Sequence, residues 1–269
     1  MSTKDSMAEE LLATLTETGF DKAACSVSEH ELHELQAENG DISLLRTAFE
    51  TDVSLTGIVG NKKASLGINR TDDETINAAA INLKTMADAA SPDPAHDIAE
   101  QQPAEQFQSG IDEPDYDKMY DRVQKVVEYA TGTYPTLNLR SVNIVFFRRR
   151  NRLVNSNGID FQTQSGSYRV SLNFTSKEGT DTSSMNYTGY STHHLDTPIH
   201  ATNDVDDMLR QSTEQVRTQH IPAKFMGDLV ISPHCLTTFT GFLLSRISDL
   251  SMIDGTSVYK DKLGEQVAI

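Results

Sequence analysis

Two Asn-Gly pairs, Asn39-Gly40 and Asn157-Gly158, constrain the fold of this chain more than any other feature. Asn-Gly accepts the left-handed backbone of a type I′ turn at little cost, and that turn matches the twist of paired strands, so each pair marks a β-hairpin. The flanking runs agree. Cys25-Ser-Val27-Ser alternates ahead of the first turn, and Ile42 to Phe49, Val53 to Val59 and Ala64 to Ile68 follow as short strands between polar breaks. Ser141 to Arg148 and Tyr168 to Thr175 flank the second, and Glu178-Gly179 turns the chain again.

Helices are expected around these hairpins. Ser6 and Glu9 read as a capping box ahead of Leu11, Leu12 and Leu15, with Gly19 as the stop, predicting a helix from Met7 to Thr18. Thr71 to Glu74 is a second box, before an alanine-rich run to Ala90. The spacing of Met119, Val123, Val126 and Val127 predicts a helix from Tyr116 to Ala130. Further helices are expected at Asp204–Gln219 and Leu236–Asp249, with a strand at Asp228–Ser232 between them. The fold class is therefore α+β, with antiparallel, hairpin-built sheets and helices packed on one side. The asparagines of the two turns lie 118 residues apart, and Val53-Ser-Leu55 is echoed by Val170-Ser-Leu172, which hints at a duplicated helix–sheet–helix unit.

The chain carries 39 Asp+Glu against 23 Lys+Arg, a formal charge of −16. The excess is local: the first 130 residues hold 26 acidic and 10 basic side chains, and the remainder is neutral. Nucleic-acid binders need cationic surface to displace counterions from phosphates, so direct contact with nucleic acid is not expected. Residues 91–114 hold four of the eight prolines and few large apolar side chains. Such a stretch cannot bury enough surface to offset its ordering entropy, so it reads as a linker or surface crossing. That divides the chain into an α+β unit over 1–90, the linker over 91–114 and a second α+β unit over 115–269. The richest apolar run, Val142 to Phe147, is far too short to span a membrane, and the N-terminus lacks the apolar core of a signal peptide. Two distant cysteines, Cys25 and Cys235, suit a reducing cytoplasm, where we expect the protein.

Three clusters invite a chemical reading. His30-Glu-Leu-His33-Glu34 superficially suggests a zinc helix, but its histidines are three apart rather than four, in a segment that alternates like a strand. They read as solvent-edge histidines on opposite faces. His193, His194 and His200 sit in a Thr/Pro/Asp-rich loop without a carboxylate or cysteine at ligand spacing, which reads as structural. Arg148, Arg149, Arg150 and Arg152 could hold a carboxylate or phosphate, though a solvated hairpin tip with ion pairs is the plainer expectation. Phosphate-binding and nucleophile-elbow motifs are missing, and neither cysteine has an evident activating partner. Residue types alone point to no catalytic, cofactor-binding or metal residue.

A set of segments nevertheless resembles the TldD/PmbA family of metallopeptidase-related proteins, long labelled modulators of DNA gyrase. They are Glu38–Asp41 through Gly57–Gly60, Leu153–Ile159 with Tyr168–Leu172, and Asp228–Pro233 followed by Lys262–Val267. The family has a TldD type with H-E-x-x-x-H on a helix and a PmbA (TldE) type without it. Where that motif would fall, this chain has Gly241, Phe242 and Arg246, none able to ligate zinc or act as a general base. The resemblance therefore implies a metal-free PmbA-like subunit of a peptide-processing complex. It would pair with an H-E-x-x-x-H-bearing subunit or with itself, zinc residing only in the partner. Family members continue beyond Lys262–Val267 into a further β-rich region, so the chain is expected to be an N-terminal portion with an incomplete second domain and an exposed edge strand. Two alternatives remain: a zinc peptidase in its own right using His193, His194, His200 or His234, and a non-enzymatic regulatory module that docks a basic partner through the acidic half.

Overall fold

The computed structural model describes residues 6–220, 223, 224 and 226–266. Its contacts divide the chain into two compact units, 1–218 and 219–269.

The first unit is built on one long antiparallel sheet. In chain order it comprises α1 (Met7–Glu17), β1 (Lys22–Glu38), β2 (Asp41–Val59), β3 (Lys62–Ile68), α2 (Asp73–Ala89), β4 (Glu105–Gly110), α3 (Tyr116–Thr133), β5 (Leu137–Asn155), β6 (Asp160–Glu178), the short β7 (Asp181–Thr182), β8 (Asn186–Thr192), a 3-10 turn at Ile199–Ala201 and α4 (Val205–Glu214). The strands lie in the order β3-β2-β1-β5-β6. Two strands share the far edge of β6: β4 runs parallel beside Phe161 to Gly166, and β8 antiparallel beside Tyr168 to Phe174. The α+β expectation holds. The two units anticipated at 1–90 and 115–269 share this sheet, because β1 pairs with β5 from Ala24↔Asn155 to Glu38↔Ser141.

Side-chain parity explains the layers. Successive strand residues point to opposite faces, so Ala23, Cys25 and Val27 share a face with Leu35 and Ala37 further along β1. Both groups are buried, under different helices. Ala23, Cys25 and Val27 join Val53, Leu55 and Val154 beneath α1 and α2, whose Leu11, Leu15 and Leu83 are each at most 1% exposed. Leu35 and Ala37 join Ile144, Phe146, Val170 and Leu172 beneath α3 and α4. All four helices therefore cover one face of the sheet, as two separate cores. A helix, a long hairpin and a closing helix occur twice, as α1-β1-β2-β3-α2 and, with the short β7 and a 3-10 turn interposed, as α3-β5-β6-β7-β8-α4.

The first Asn-Gly turn is as expected, with both central residues left-handed, φ being 49° at Asn39 and 96° at Gly40. Several other local expectations are corrected. The second turn begins earlier, at Asn155, whose carbonyl accepts from Gly158 N at 3.1 Å, and only Gly158 has positive φ. Ile42–Phe49 and Val53–Val59 are one continuous strand, because the polar break between them still pairs with β1. The linker forms β4, since Gln106 to Gly110 find open backbone on β6. The α2 cap is Asp72 rather than Thr71, accepting from Thr75 N at 3.0 Å. Ser6 makes no side-chain cap on α1, and Glu9 reaches Arg152 at 2.6 Å instead.

In the second unit, α5 (Pro233–Arg246) and α6 (Asp249–Ile253) replace the single helix expected there, because Ser248 caps a new helix start, accepting from Ser251 N. The Ser257 hydroxyl donates to the Arg246 carbonyl. Residues 228–232 belong to no strand, so the strand expected there does not form.

Candidate functional site

Between the two cores the helix-covered face of the sheet carries a polar trough. The parity that buries Val27 and Leu35 also brings Glu29, Glu31 and His33 to this face, since all are odd positions of β1. Register then sets Thr51, Phe49 and Thr47 of β2 beside them on one side and Arg150, Arg148 and Phe146 of β5 on the other. Gln164 pairs with Arg150, Gln162 with Arg152, and Gln108 and Gln106 of β4 extend the row. The trough thus crosses five strands, from β4 to the outer edge of β2. It holds a cavity of about 510 Å³ lined by Gln106, Gln108, Arg150, Arg152, Gln162 and Gln164. A second, of about 260 Å³, is lined by Glu31, Phe49, Thr51 and Arg148, and both touch Glu29 and Arg150.

The arginine cluster is sorted by this geometry. Arg148, with 12% of its side chain exposed, pairs with Glu31 and, at 2.7 Å, with Glu113. Arg152 grips Asp160 through Nε at 2.9 Å and Nη2 at 2.8 Å, and also Glu9. Arg150 stands between them with a neutral partner among the described residues: its Nε donates to Gln164 Oε1 at 3.0 Å. Arg149 points to the opposite face and donates to Ser28 Oγ at 3.3 Å. Two of the four arginines are therefore structural ion pairs, and Arg150 is the cation left facing the trough.

Burial works to raise the Glu31 carboxyl, but hydrogen bonds from Arg148 and His33 outweigh it and hold it below the ordinary carboxylate range. Asp160 is held low by its bond to Arg152.

His33 is not the solvent-edge residue expected. It is 6% exposed, with Nε2 at 2.6 Å from Glu31 and Nδ1 at 2.5 Å from the Tyr116 hydroxyl. The reason is α3, whose first residue covers it. His30 does lie on the opposite face, 3.5 Å from Asp52.

The other candidates are dispersed. His194 lies in the turn after β8, its backbone N–H donating to Thr192 Oγ1. His193 neighbours Gly110. His200 stacks flat on Tyr129 with ring centroids 3.8 Å apart, and its buried Nδ1 has no hydrogen-bond partner. The side chain of His234 lies outside the described residues. Among the described residues, no group of three or more His, Cys, Asp or Glu could hold a metal ion. Gly241, Phe242 and Arg246 fall on α5, with the Arg246 guanidinium 4.9 Å from the Phe242 ring centroid. These residues do not fit a zinc site, since none offers a ligand. Cys25 is fully buried and its thiol is pushed up to about 12 by desolvation, so it is no nucleophile.

Sequence reasoning missed the trough, although its signal was present. Glu29-x-Glu31-x-His33, Arg148-x-Arg150-x-Arg152, Gln162-x-Gln164 and Gln106-x-Gln108 all place polar residues at strand period two.

No family model matches the sequence, and neither does any curated protein. Solved structures do match. TldE from Thermococcus kodakarensis superposes with a TM-score of 0.71 at 17% identity, over 97% of this chain and 60% of its own. A candidate modulator of DNA gyrase from Bacteroides thetaiotaomicron gives 0.72 at 16% identity, over 100% of this chain and 62% of its own. One from Thermotoga maritima gives 0.66 at 14% identity, over 98% and 60%. The chain spans about three fifths of the length of these structures. Among the described residues no helix is long and apolar enough to cross a membrane. Over nearly its whole length the chain shares its fold with TldE and the candidate modulators of DNA gyrase.

Proposed function

We propose that this chain is a PmbA (TldE)-type subunit without catalytic metal of its own, which works with an H-E-x-x-x-H-bearing TldD-like subunit in a cytoplasmic peptide-processing complex. The fold shared with TldE across 97% of the chain carries this reading. The absence of zinc-ligating side chains at Gly241, Phe242 and Arg246 supports the metal-free role. Zinc and the hydrolytic step belong to the partner. The contribution of this chain is to hold an extended peptide: the trough offers amides at Gln106, Gln108, Gln162 and Gln164, which suit a peptide backbone, and Arg150, which suits a carboxylate.

The test is co-purification and turnover. Co-expressed with an H-E-x-x-x-H-bearing TldD-like subunit, the chain should co-elute with it and raise its hydrolysis of an unstructured peptide, while hydrolysing nothing alone. Hydrolysis by this chain alone, or no association and no stimulation, would refute the proposal.

A further inference from the structure

Asp112, two residues beyond β4, is joined to Arg150 through a single side chain. Its Oδ1 accepts from Gln164 Nε2 at 2.6 Å and from Gln108 Nε2 at 2.9 Å, and its Oδ2 accepts from Gln108 Nε2 at 3.1 Å. A carboxylate only accepts hydrogen bonds, so both glutamines must turn their NH2 groups toward it. That leaves Gln164 Oε1 on the other side of its amide, where it accepts from Arg150 Nε at 3.0 Å. Asp112, Gln164 and Arg150 thus form a line in which each group fixes the orientation of the next.

Register and a backbone crossing build this line. Gln164 pairs with Gln108 on one side and with Arg150 on the other, which sets the three in one row across β4, β6 and β5. Asp112 lines neither cavity of the trough, yet its backbone is pinned on both sides. The preceding Ile111 N–H donates to Gly166 O at 3.2 Å, and Arg148 Nη1 donates to the Asp112 carbonyl at 2.9 Å. Arg148, spent on ion pairs, therefore also holds the residue that aims Arg150.

The bond to Nε selects how Arg150 meets a ligand. A guanidinium can grip a carboxylate along its side, through Nε and Nη2, or along its end, through Nη1 and Nη2. Gln164 takes Nε, and Nη1 and Nη2 have no partner among the described residues. We propose that Asp112 and Gln164 are positioning residues for Arg150, holding its guanidinium so that Nη1 and Nη2 take the C-terminal carboxylate of an extended peptide end-on. An exposed arginine without such support would lose rotamer freedom on binding, and the line removes that loss in advance. The inference rests on the peptide reading proposed above. The charge of Asp112 by itself would act in the opposite direction, since an anion near Arg150 repels a second carboxylate. The two roles predict opposite signs on removing it.

The full chain and a fluorescent unstructured peptide, with its C-terminus free or amidated, provide the test. Asp112→Asn keeps the shape but offers one acceptor atom in place of two, so the carboxamides can turn. It should weaken the free-acid peptide about threefold to tenfold and the amidated one by less than about twofold, with circular dichroism and melting unchanged. Gln164→Met should reduce the preference for the free acid by a similar factor, and adding Asp112→Asn should reduce it no further, because Asp112 acts through Gln164. A second readout needs no ligand: hydrogen exchange at Arg150 Nε–H, identified in NMR spectra by its absence from Arg150→Lys, should quicken in both variants. Unchanged or tighter binding of the free acid in Asp112→Asn would overturn the proposal, as would additive effects in the double variant or unaltered exchange at Nε. If Arg150→Gln keeps the full preference for the free acid, the carboxylate reading itself fails. If Arg150→Gln loses that preference and Asp112→Asn keeps it, only the positioning role fails.

Discussion

The hydroxyl of Tyr116, the first residue of α3, lies 2.5 Å from Nδ1 of His33 on β1. It ties the helix layer of the second half to a strand of the first, at the border between the trough and the second core. With Glu31 ionised, Nε2 of His33 carries the proton donated to it, and Nδ1 pairs with the Tyr116 hydroxyl. Removing the hydroxyl with Tyr116→Phe leaves the buried Nδ1 only Thr47, at 3.3 Å. We expect a loss of about 0.5–1.5 kcal/mol in urea unfolding, and a smaller additional loss when Tyr116→Phe is combined with His33→Ala than when it is made alone. Full additivity of the two would show that the contact is energetically silent.

Acid should unfold the protein through the carboxylates that face arginines. Glu31 and Asp160 are held below their ordinary values, so between the folded and unfolded values the unfolded state binds more protons. Their contribution is fully present above the ordinary carboxylate value near pH 4 and is lost as pH falls through the lowered folded values. Urea midpoints should be flat from about pH 7 to 5 on this account and fall below about pH 4. Arg148→Gln should flatten that acid limb, because it removes the cation that lowers Glu31. An unaltered limb in that variant would count against the pair.

Gly166 is required by a close crossing of backbones. A side chain there would overlap the carbonyl oxygen of Ile111, whose N–H bonds Gly166 O at 3.2 Å. Backbone cannot swing aside as a flexible side chain does, so Gly166→Ala should cost about 1–3 kcal/mol and loosen β4. Amide exchange would accelerate at Glu105–Gly110 and stay slow in β1. Uniform acceleration would point to global destabilisation without release of β4.

Arg150 should matter for ligand and not for stability. It is exposed and its bond to Gln164 is between a cation and a neutral amide. Arg150→Gln should shift the melting temperature by no more than about 2 °C, yet weaken a fluorescent unstructured peptide with a free C-terminus about tenfold. The amidated peptide should lose much less. Equal losses would mean that Arg150 does not read the carboxylate.

Much of the architecture was legible in the chain. Asn39-Gly40 placed the first hairpin because only a left-handed pair closes a two-residue turn between twisted strands, and the apolar spacing of Met119, Val123 and Val126 marked α3. β4 was not legible. All six of its residues are exposed, so it has no apolar period, and it exists as a strand only because β6 offers it an unpaired edge. The burial of His33 was hidden for a related reason: its cover comes from Tyr116, 83 residues away.

By itself, then, the sequence determined the first hairpin, the apolar-faced helices and the absence of zinc ligands at positions 241, 242 and 246, because these depend on backbone conformation, local period and side-chain chemistry. Tertiary structure alone decided which arginine is free for a ligand. Arg148, Arg150 and Arg152 are the same residue at the same strand period, and only the chain brought alongside each one, Glu31 and Glu113, Gln164, or Asp160 and Glu9, separates a structural cation from an available one. Those partners are set by strand register and helix placement, which join residues far apart in sequence and leave no local pattern to read.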